Sequence, residues 1–441
     1  MNPTTESPDT PVFAVDESAL VPVNDYLTHM TPIPVSRMFM IKQLLDRFKA
    51  NHPDTPMYDA SQGDGGASLP GVPGELLERA FQLHRDHGTA YDQPFGTPQF
   101  RKAVVESYWK LDAATGWGPA NVIATQGGRD ALIKAYMAML HLGHGRIGDV
   151  IVTSRVPWIS YNWGPYGIGA NVLRAPGRAE EGWQYSEDGL RETVAFAERA
   201  GGRKVAGLII TSPDNPTGHT LTVERQVELG KAAMRLGVPF VLYDWIYHWV
   251  TAGAPVDVNA FLTAFTPDER ERIMILDGLT KSLGASNVRN AHLLASERVC
   301  KFIQSYASHG VIPSFYSLAV AIAAYEMGYA EAAKGIIGPT NESRVVLDAF
   351  LEEHNFDYII GTGGYYAFIN CERWIRAAGM ADSVALGEYL AAEHGVAVVA
   401  GAFFSDAGRY WMRFSYALPK EKTLAAAQRF LEGLNALEAR A

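Results

Sequence analysis

Cysteine is almost absent. The 441 residues hold two, Cys300 and Cys371, with no CxxC pair and no Cys/His cluster. That leaves no material for a disulfide framework or a structural zinc site, and a reducing, cytoplasmic setting with no metal is expected. No apolar run approaches the roughly 18 residues of a membrane-spanning helix. The opening MNPTTESPDTPVF has neither the basic nor the apolar region of a secretory signal, so none is expected. Charge of one sign is nowhere concentrated. The net charge of −10 is spread along the chain, which argues against a nucleic-acid or anionic-membrane partner. Internal repeats and low-complexity tracts are also missing.

What is present is ordinary globular material, 47% hydrophobic and 20% charged. The length exceeds one typical domain, so two lobes are expected. Residues 1–30 read as an arm, rich at its start in Pro, Thr, Ser and acids. From Val35 to Phe48 apolar residues recur at three- and four-residue steps, which predicts an amphipathic helix. Between residues 120 and 295 seven short apolar runs alternate with helical stretches: Val122–Ala124, Val150–Val152, Val172–Leu173, Leu208–Ile210, Phe240–Leu242, Ile273–Leu276 and His292–Leu294. Continuous apolar strands are what a mostly parallel sheet covered on both faces requires, so this region is expected to be an α/β three-layer lobe. Beyond Phe302 the chain reads as a smaller α+β lobe. Its alanine-rich helices lie near 317–335 and 383–394 and at the C-terminus, with strands at Tyr365–Ile369, Val396–Val399 and Trp411–Ser415.

Several stretches carry residues fit for chemistry. Lys281, in Leu276-Asp277-Gly278-Leu279-Thr280-Lys281-Ser282-Leu283-Gly284, follows a predicted buried strand, and Arg289 lies eight positions on. A lysine there can form a Schiff base if burial and neighbouring cations lower its pKa. In isolation a surface lysine fits as well. Tyr58 to Gly66 runs from a short strand into a glycine-rich loop containing Gly63, which admits a ligand closely or is a plain turn. Thr125-Gln126-Gly127-Gly128-Arg129 joins a strand to a helix, a place where exposed N–H groups bind anions. It is neither a dinucleotide fingerprint nor a P-loop. Trp158 and Tyr161 follow the next strand, where an aromatic stacks on a flat ring or packs in the core. Ser212 to Gly218 pins a turn that presents Asn215. Asp244 ends an apolar strand, with Tyr247 three residues later; a buried carboxylate there needs a partner, and a protonated pyridine nitrogen is one. Arg413 sits in a strand-like alternation, its planar fork suited to a carboxylate.

In this order and spacing, the motifs resemble the class I/II aminotransferases, pyridoxal-phosphate enzymes of fold type I, across roughly residues 30–440. The resemblance implies a large cofactor-binding domain over 76–310, a small domain over 311–441, and a segment 31–75 packed with the small domain. It implies that Lys281 carries the cofactor as a Schiff base and shuttles the proton. Asp244 would pair with the pyridine N–H. Asn215 and Tyr247 would bond the phenolic oxygen, and Trp158 would stack on the ring. Gly127, Gly128, Arg129, Thr280 and Arg289 would surround the phosphate. Arg413, Gly63, Asn215 and Trp158 would meet the substrate, with Arg413 holding its α-carboxylate. Tyr91, in Tyr91-Asp92-Gln93-Pro94-Phe95-Gly96, looks like the family tyrosine that reaches the partner subunit's phosphate, which implies a homodimer sharing its active site. The expected activity is transamination of an α-amino acid, in specialised biosynthesis. A lyase, a cyclising or S-adenosylmethionine-using enzyme, or an oxygen-using enzyme would use the same cofactor residues. A non-catalytic regulator is the remote alternative, disfavoured by the acidic chain and by the presence of both Lys281 and Asp244. The sequence departs from the family pattern in several places. Gly278 stands where a small hydroxylated residue is usual, Trp245 where an acid is usual, Ala291 where glycine is usual and Ala400 where proline is common. The proline that leads the family's glycine-aromatic strand is absent from Gly361 to Tyr366.

Overall fold

The computed structural model describes residue 33 and residues 38–439. The expected N-terminal arm and the first three positions of the helix expected from Val35 lie outside these residues. The described part of that helix runs Met38–Asn51 and buries Ile41, Leu45 and Phe48 along one face. A two-residue strand, β1 (Tyr58–Asp59), follows.

Each of the seven apolar runs forms a strand, buried throughout in six and at alternate residues in the third. They are β2 (Val122–Thr125), β3 (Val150–Thr153), β4 (Asn171–Arg174), β5 (Val205–Thr211), β6 (Phe240–Asp244), β7 (Ile273–Gly278) and β8 (Ala291–Ala295). They form one sheet in the order β2-β8-β7-β6-β5-β3-β4. Its β4-β3-β5-β6-β7 part is parallel, whereas β8 runs antiparallel to both β7 and β2. Residues 279–290, between β7 and β8, hold only the short helix Leu279–Ser282, with no helix long enough to cover the sheet in a crossover, and the chain turns back to run antiparallel. Register then decides where chemistry can happen. Thr211 lies opposite Asp244, Asp244 opposite Leu276, Gly278 opposite Ala291, and Ala291 opposite Thr125. The segments that leave β2, β5, β6 and β7 therefore emerge along one edge of the sheet, where ligands of open α/β sheets bind.

A second, antiparallel sheet has its own apolar core, including Leu347, Phe350, Leu390, Phe414 and Phe430. It comprises β9 (Tyr358–Ile360), β10 (Tyr366–Asn370), β12 (Val399–Ala400) and β13 (Trp411–Ser415), in the order β12-β13-β10-β9. Between β10 and β12 lies β11 (Val396–Ala397), which pairs in parallel with β1. The single strand expected at Val396–Val399 is thus two strands, because its ends serve different sheets. The alanine-rich stretch expected at 317–335 is likewise divided. Gly328, at φ +89, separates helices Phe315–Met327 and Tyr329–Glu353.

Candidate active site

Asp244 ends β6 with 3% exposure. Tyr161 donates to its Oδ2 at 2.6 Å, and the Ile246 N–H donates to its Oδ1 at 3.1 Å. Tyr161 in turn accepts from Thr211 Oγ1 at 3.1 Å. Burial still dominates and pushes the Asp244 carboxyl up to about 6, against the pull of these donors and of the Lys281 charge. A carboxylate held under such a penalty gains most from a cationic partner.

Lys281 lies on the next strand's exit, in the short helix Leu279–Ser282. The strand's apolar run drives β7 into the sheet and leaves the lysine at its edge. Its Nζ donates to the Gly63 carbonyl and lies over the Tyr247 ring, 5.7 Å from the centroid. Burial lowers the amine's pKa; Tyr366 and Asp64 oppose this, while the Arg413 and Arg129 cations add to it. That is the direction a nucleophilic lysine requires.

Arg413, in β13, is buried at 1% exposure and faces the same edge from the second sheet. Its Nη1 donates to Asn215 Oδ1 at 2.9 Å and its Nη2 to the Ser61 carbonyl at 2.7 Å. Nε has no partner among the described residues. The guanidinium lies 4.2 Å from the Tyr366 ring centroid, and the Tyr366 hydroxyl meets that of Tyr247 at 3.0 Å. Tyr365 donates to the Lys281 carbonyl at 2.5 Å. Gly63, Asn215, Tyr247, Lys281 and Arg413, taken from five distant points of the sequence, are thus joined at one site.

The second group lies where β2 gives way to helix Gly128–Leu142. Gly127, at φ +80, starts that helix with no side-chain cap, leaving the first N–H groups available. A Cβ on Gly127 would sit 2.5 Å from Arg289 Nη2, so only glycine lets the guanidinium approach. Arg289 has a left-handed backbone, φ +60, and donates to the carbonyls of Ser286 (2.8 Å) and Gln126 (3.3 Å). Such a conformation costs a non-glycine residue ~1–3 kcal/mol and is typically kept at functional sites. Arg129 lies over Trp158, 5.8 Å from its ring centroid, and Trp158 meets Tyr161 edge-on at 5.4 Å. Gly128 and Thr280 sit at the starts of helices Gly128–Leu142 and Leu279–Ser282. Tyr91 stands apart, 95% exposed.

Sequence reasoning placed Tyr161 near the site but missed its role as donor to Asp244. It also missed Tyr366 as the link between Tyr247 and Arg413. The three-residue step from Trp158 to Tyr161 in a short helix was the signal for the first. The second arises only from packing of the two sheets. Gly278 and Ala291 prove to be opposite one another: a Cβ on Gly278 would sit 2.6 Å from the Ala291 Cβ. Trp245 is buried in the acid's usual place, and its Nε1 donates to Gln226 Oε1 at 2.8 Å.

The family model for aminotransferase class I and II matches residues 66–430. An aspartate aminotransferase of Geobacillus stearothermophilus is 24% identical over 370 residues, covering 81% of this chain and 87% of the relative. A probable aspartate/prephenate aminotransferase of Aquifex aeolicus is 24% identical over 373 residues, covering 82% and 88%. Among solved structures, the aspartate aminotransferase from Thermus thermophilus with maleate superposes with a TM-score of 0.75 at 22% identity, covering 92% of this chain and 98% of that one. Pyrococcus protein-A1 gives 0.77 at 20% identity, covering 95% and 99%. Both share the fold.

Proposed function

This chain is an enzyme of the aminotransferase class I and II family, and from that premise we propose that its cleft holds pyridoxal 5'-phosphate and transaminates an α-amino acid. The observation that carries this reading is the pairing of a penalised carboxylate, Asp244, with an amine of lowered pKa, Lys281, at the exits of neighbouring strands. The residues fit the cofactor at both ends. Asp244 would face the ring nitrogen with Trp158 beside the ring, Asn215 and Tyr247 would meet its phenolic oxygen, and Gly127, Gly128, Arg129, Thr280 and Arg289 would hold its phosphate. When bound, the cofactor supplies a ring that takes up the electron pair left on the substrate's α-carbon.

The chain's own groups supply the rest. Arg413 binds the substrate's α-carboxylate through its unpartnered Nε and the fork that now engages Asn215 and Ser61. That fixes the α-carbon near Lys281 Nζ, which takes the α-proton as a general base. Tyr247, joined to Tyr366, keeps a hydroxyl proton at the cleft, since burial pushes its pKa well above the usual tyrosine value. The relatives' names make aspartate the first donor to assay and prephenate an acceptor to pair with it. A homodimer is part of the proposal, with Tyr91 reaching the partner subunit's phosphate site. The exposed side chains of Leu77, Phe81, Val311 and Tyr316 support it as an apolar surface to be covered.

Lys281→Ala is expected to abolish the visible absorbance of the cofactor-loaded protein and keto-acid formation from an amino donor. Retained turnover would overturn the assignment. Release of ammonia in place of an amino-group transfer would favour lyase chemistry.

A further inference from the structure

Beneath the cleft lies a buried polar cluster that the chemistry above does not use. Asp277, the penultimate residue of β7, has no exposure. Its Oδ1 accepts from the Gly278 N–H at 2.6 Å, and its Oδ2 meets His248 Nε2 at 2.8 Å. Tyr108 donates to the same Oδ2 and also lies 3.3 Å from His248 Nε2. Trp109 stacks on the His248 ring at 5.0 Å and donates to His292 Nε2 at 2.7 Å. His248 Nδ1 has no partner among the described residues.

Location gives the cluster its meaning. His248 directly follows Tyr247 on the turn leaving β6, and Asp277 stands four residues before Lys281 on the chain leaving β7. The His248–Asp277 contact therefore ties together the two segments that carry Tyr247 and Lys281. The family's usual acid after the strand aspartate is replaced here by Trp245. In the parallel register Asp244 pairs with Leu276, so the position beyond it on β7 is Asp277.

We propose that Asp277, held by His248 and Tyr108, is a positioning residue for this enzyme: its carboxylate bears on Asp244, and its contacts fix Tyr247 relative to Lys281. This rests on the cofactor reading given above. The groups that face Asp277 are Tyr108, His248 on the β6 turn, His292 on β8, Tyr325 and Tyr329 on the two helices packed below, and Asp244 on β6. The Asp277 charge bears on Asp244 and on all of these tyrosines, raising their pKa values behind the larger effect of burial. Burial lowers His292 to about 4, so it stays neutral at physiological pH.

The test is Asp277→Asn, which keeps the shape and the acceptor for Gly278 but removes the charge. In the cofactor-free protein, the titration midpoint of the Asp244 carboxyl, followed by NMR of isotope-labelled aspartate, is expected to fall by about half a unit, because a nearby anion no longer opposes its ionisation. In the loaded enzyme kcat is expected to fall about tenfold with KM within about threefold, the sign of an interaction made in the transition state. A folded variant whose midpoint and kcat match the wild type, or whose only change is a lower Tm, overturns the proposal. If Asp277→Asn does not fold, Tyr108→Phe carries the test through a smaller kcat loss at unchanged KM, and no such loss overturns it. The cofactor reading fails separately, if wild type acquires no visible band on Lys281.

Discussion

Gly278 and Ala291 form one packing unit across β7 and β8. At each position taken alone the chain departs from its family, with a side chain lost at one and gained at the other. The antiparallel register places the two Cα atoms opposite each other, and the contact distance leaves room for only one Cβ. The exchange is therefore conservative in volume, which cores tolerate, while a single reversal is not. Gly278→Ser is expected to destabilise the protein by ~1–3 kcal/mol, and adding Ala291→Gly to recover most of that. Urea unfolding of the two single variants and the double variant measures it, and purely additive effects would refute the coupling. The two departures were legible in the sequence; their reciprocity was not, because it depends on β8 reversing direction after β7. For the same reason the identity of Asp244 as a buried acid was readable from its apolar strand, whereas its donor Tyr161 arrives from a segment beyond β3.

At the scale of elements, the candidate site is assembled largely from strand exits, and strand exits are what apolar runs mark well. Of its five central residues, Gly63, Asn215, Tyr247 and Lys281 were placed at such exits or in the turns that follow, and Arg413 within a strand. Less legible was how the second sheet is held against the first. The segment 401–408 brings Phe404 within 5.4 Å of the Arg413 guanidinium. It is fastened by two contacts with the chain beyond β3: Asn162 Nδ2 donates to the Phe404 carbonyl at 2.6 Å, and Arg155 grips Asp406 through both forks at 2.9 and 2.7 Å. Burial pushes the Asp406 carboxyl up, but the Arg155 bonds and charge outweigh it and hold the carboxyl below the usual range. A bidentate pair of this kind fixes geometry as well as adding energy. Asp406→Ala is expected to free the segment and raise KM for the amino donor several-fold, with a smaller change in kcat, since Phe404 packs against the group proposed to bind the carboxylate. Steady-state kinetics decide it: an unchanged KM would mean that the segment does not shape the Arg413 site. No periodicity or composition reveals a contact 251 residues apart in the chain.

At the scale of the whole molecule, Tyr91 poses the question of how many chains make one site. Its side chain is almost fully exposed, although the family pattern assigns it to a phosphate. A two-fold symmetric pair resolves this, since each subunit then lends the other its tyrosine across an isologous contact. The exposed Phe81 and Tyr316, on helices Gly74–His87 and Phe315–Met327 that pack together, supply the apolar surface such a contact needs. Mixing two defective variants tests it. Tyr91→Ala is expected to be impaired through its partner's site, and Lys281→Ala through its own. After co-refolding, each mixed dimer holds one site with an intact lysine and an intact tyrosine, so about a quarter of the wild-type activity is expected to return. If Tyr91 served its own chain, the Tyr91→Ala subunit would stay impaired whatever its partner, and the mixture would gain nothing over Tyr91→Ala alone. The returned fraction therefore reads out directly whether the phosphate end of the cleft is closed by one chain or by two.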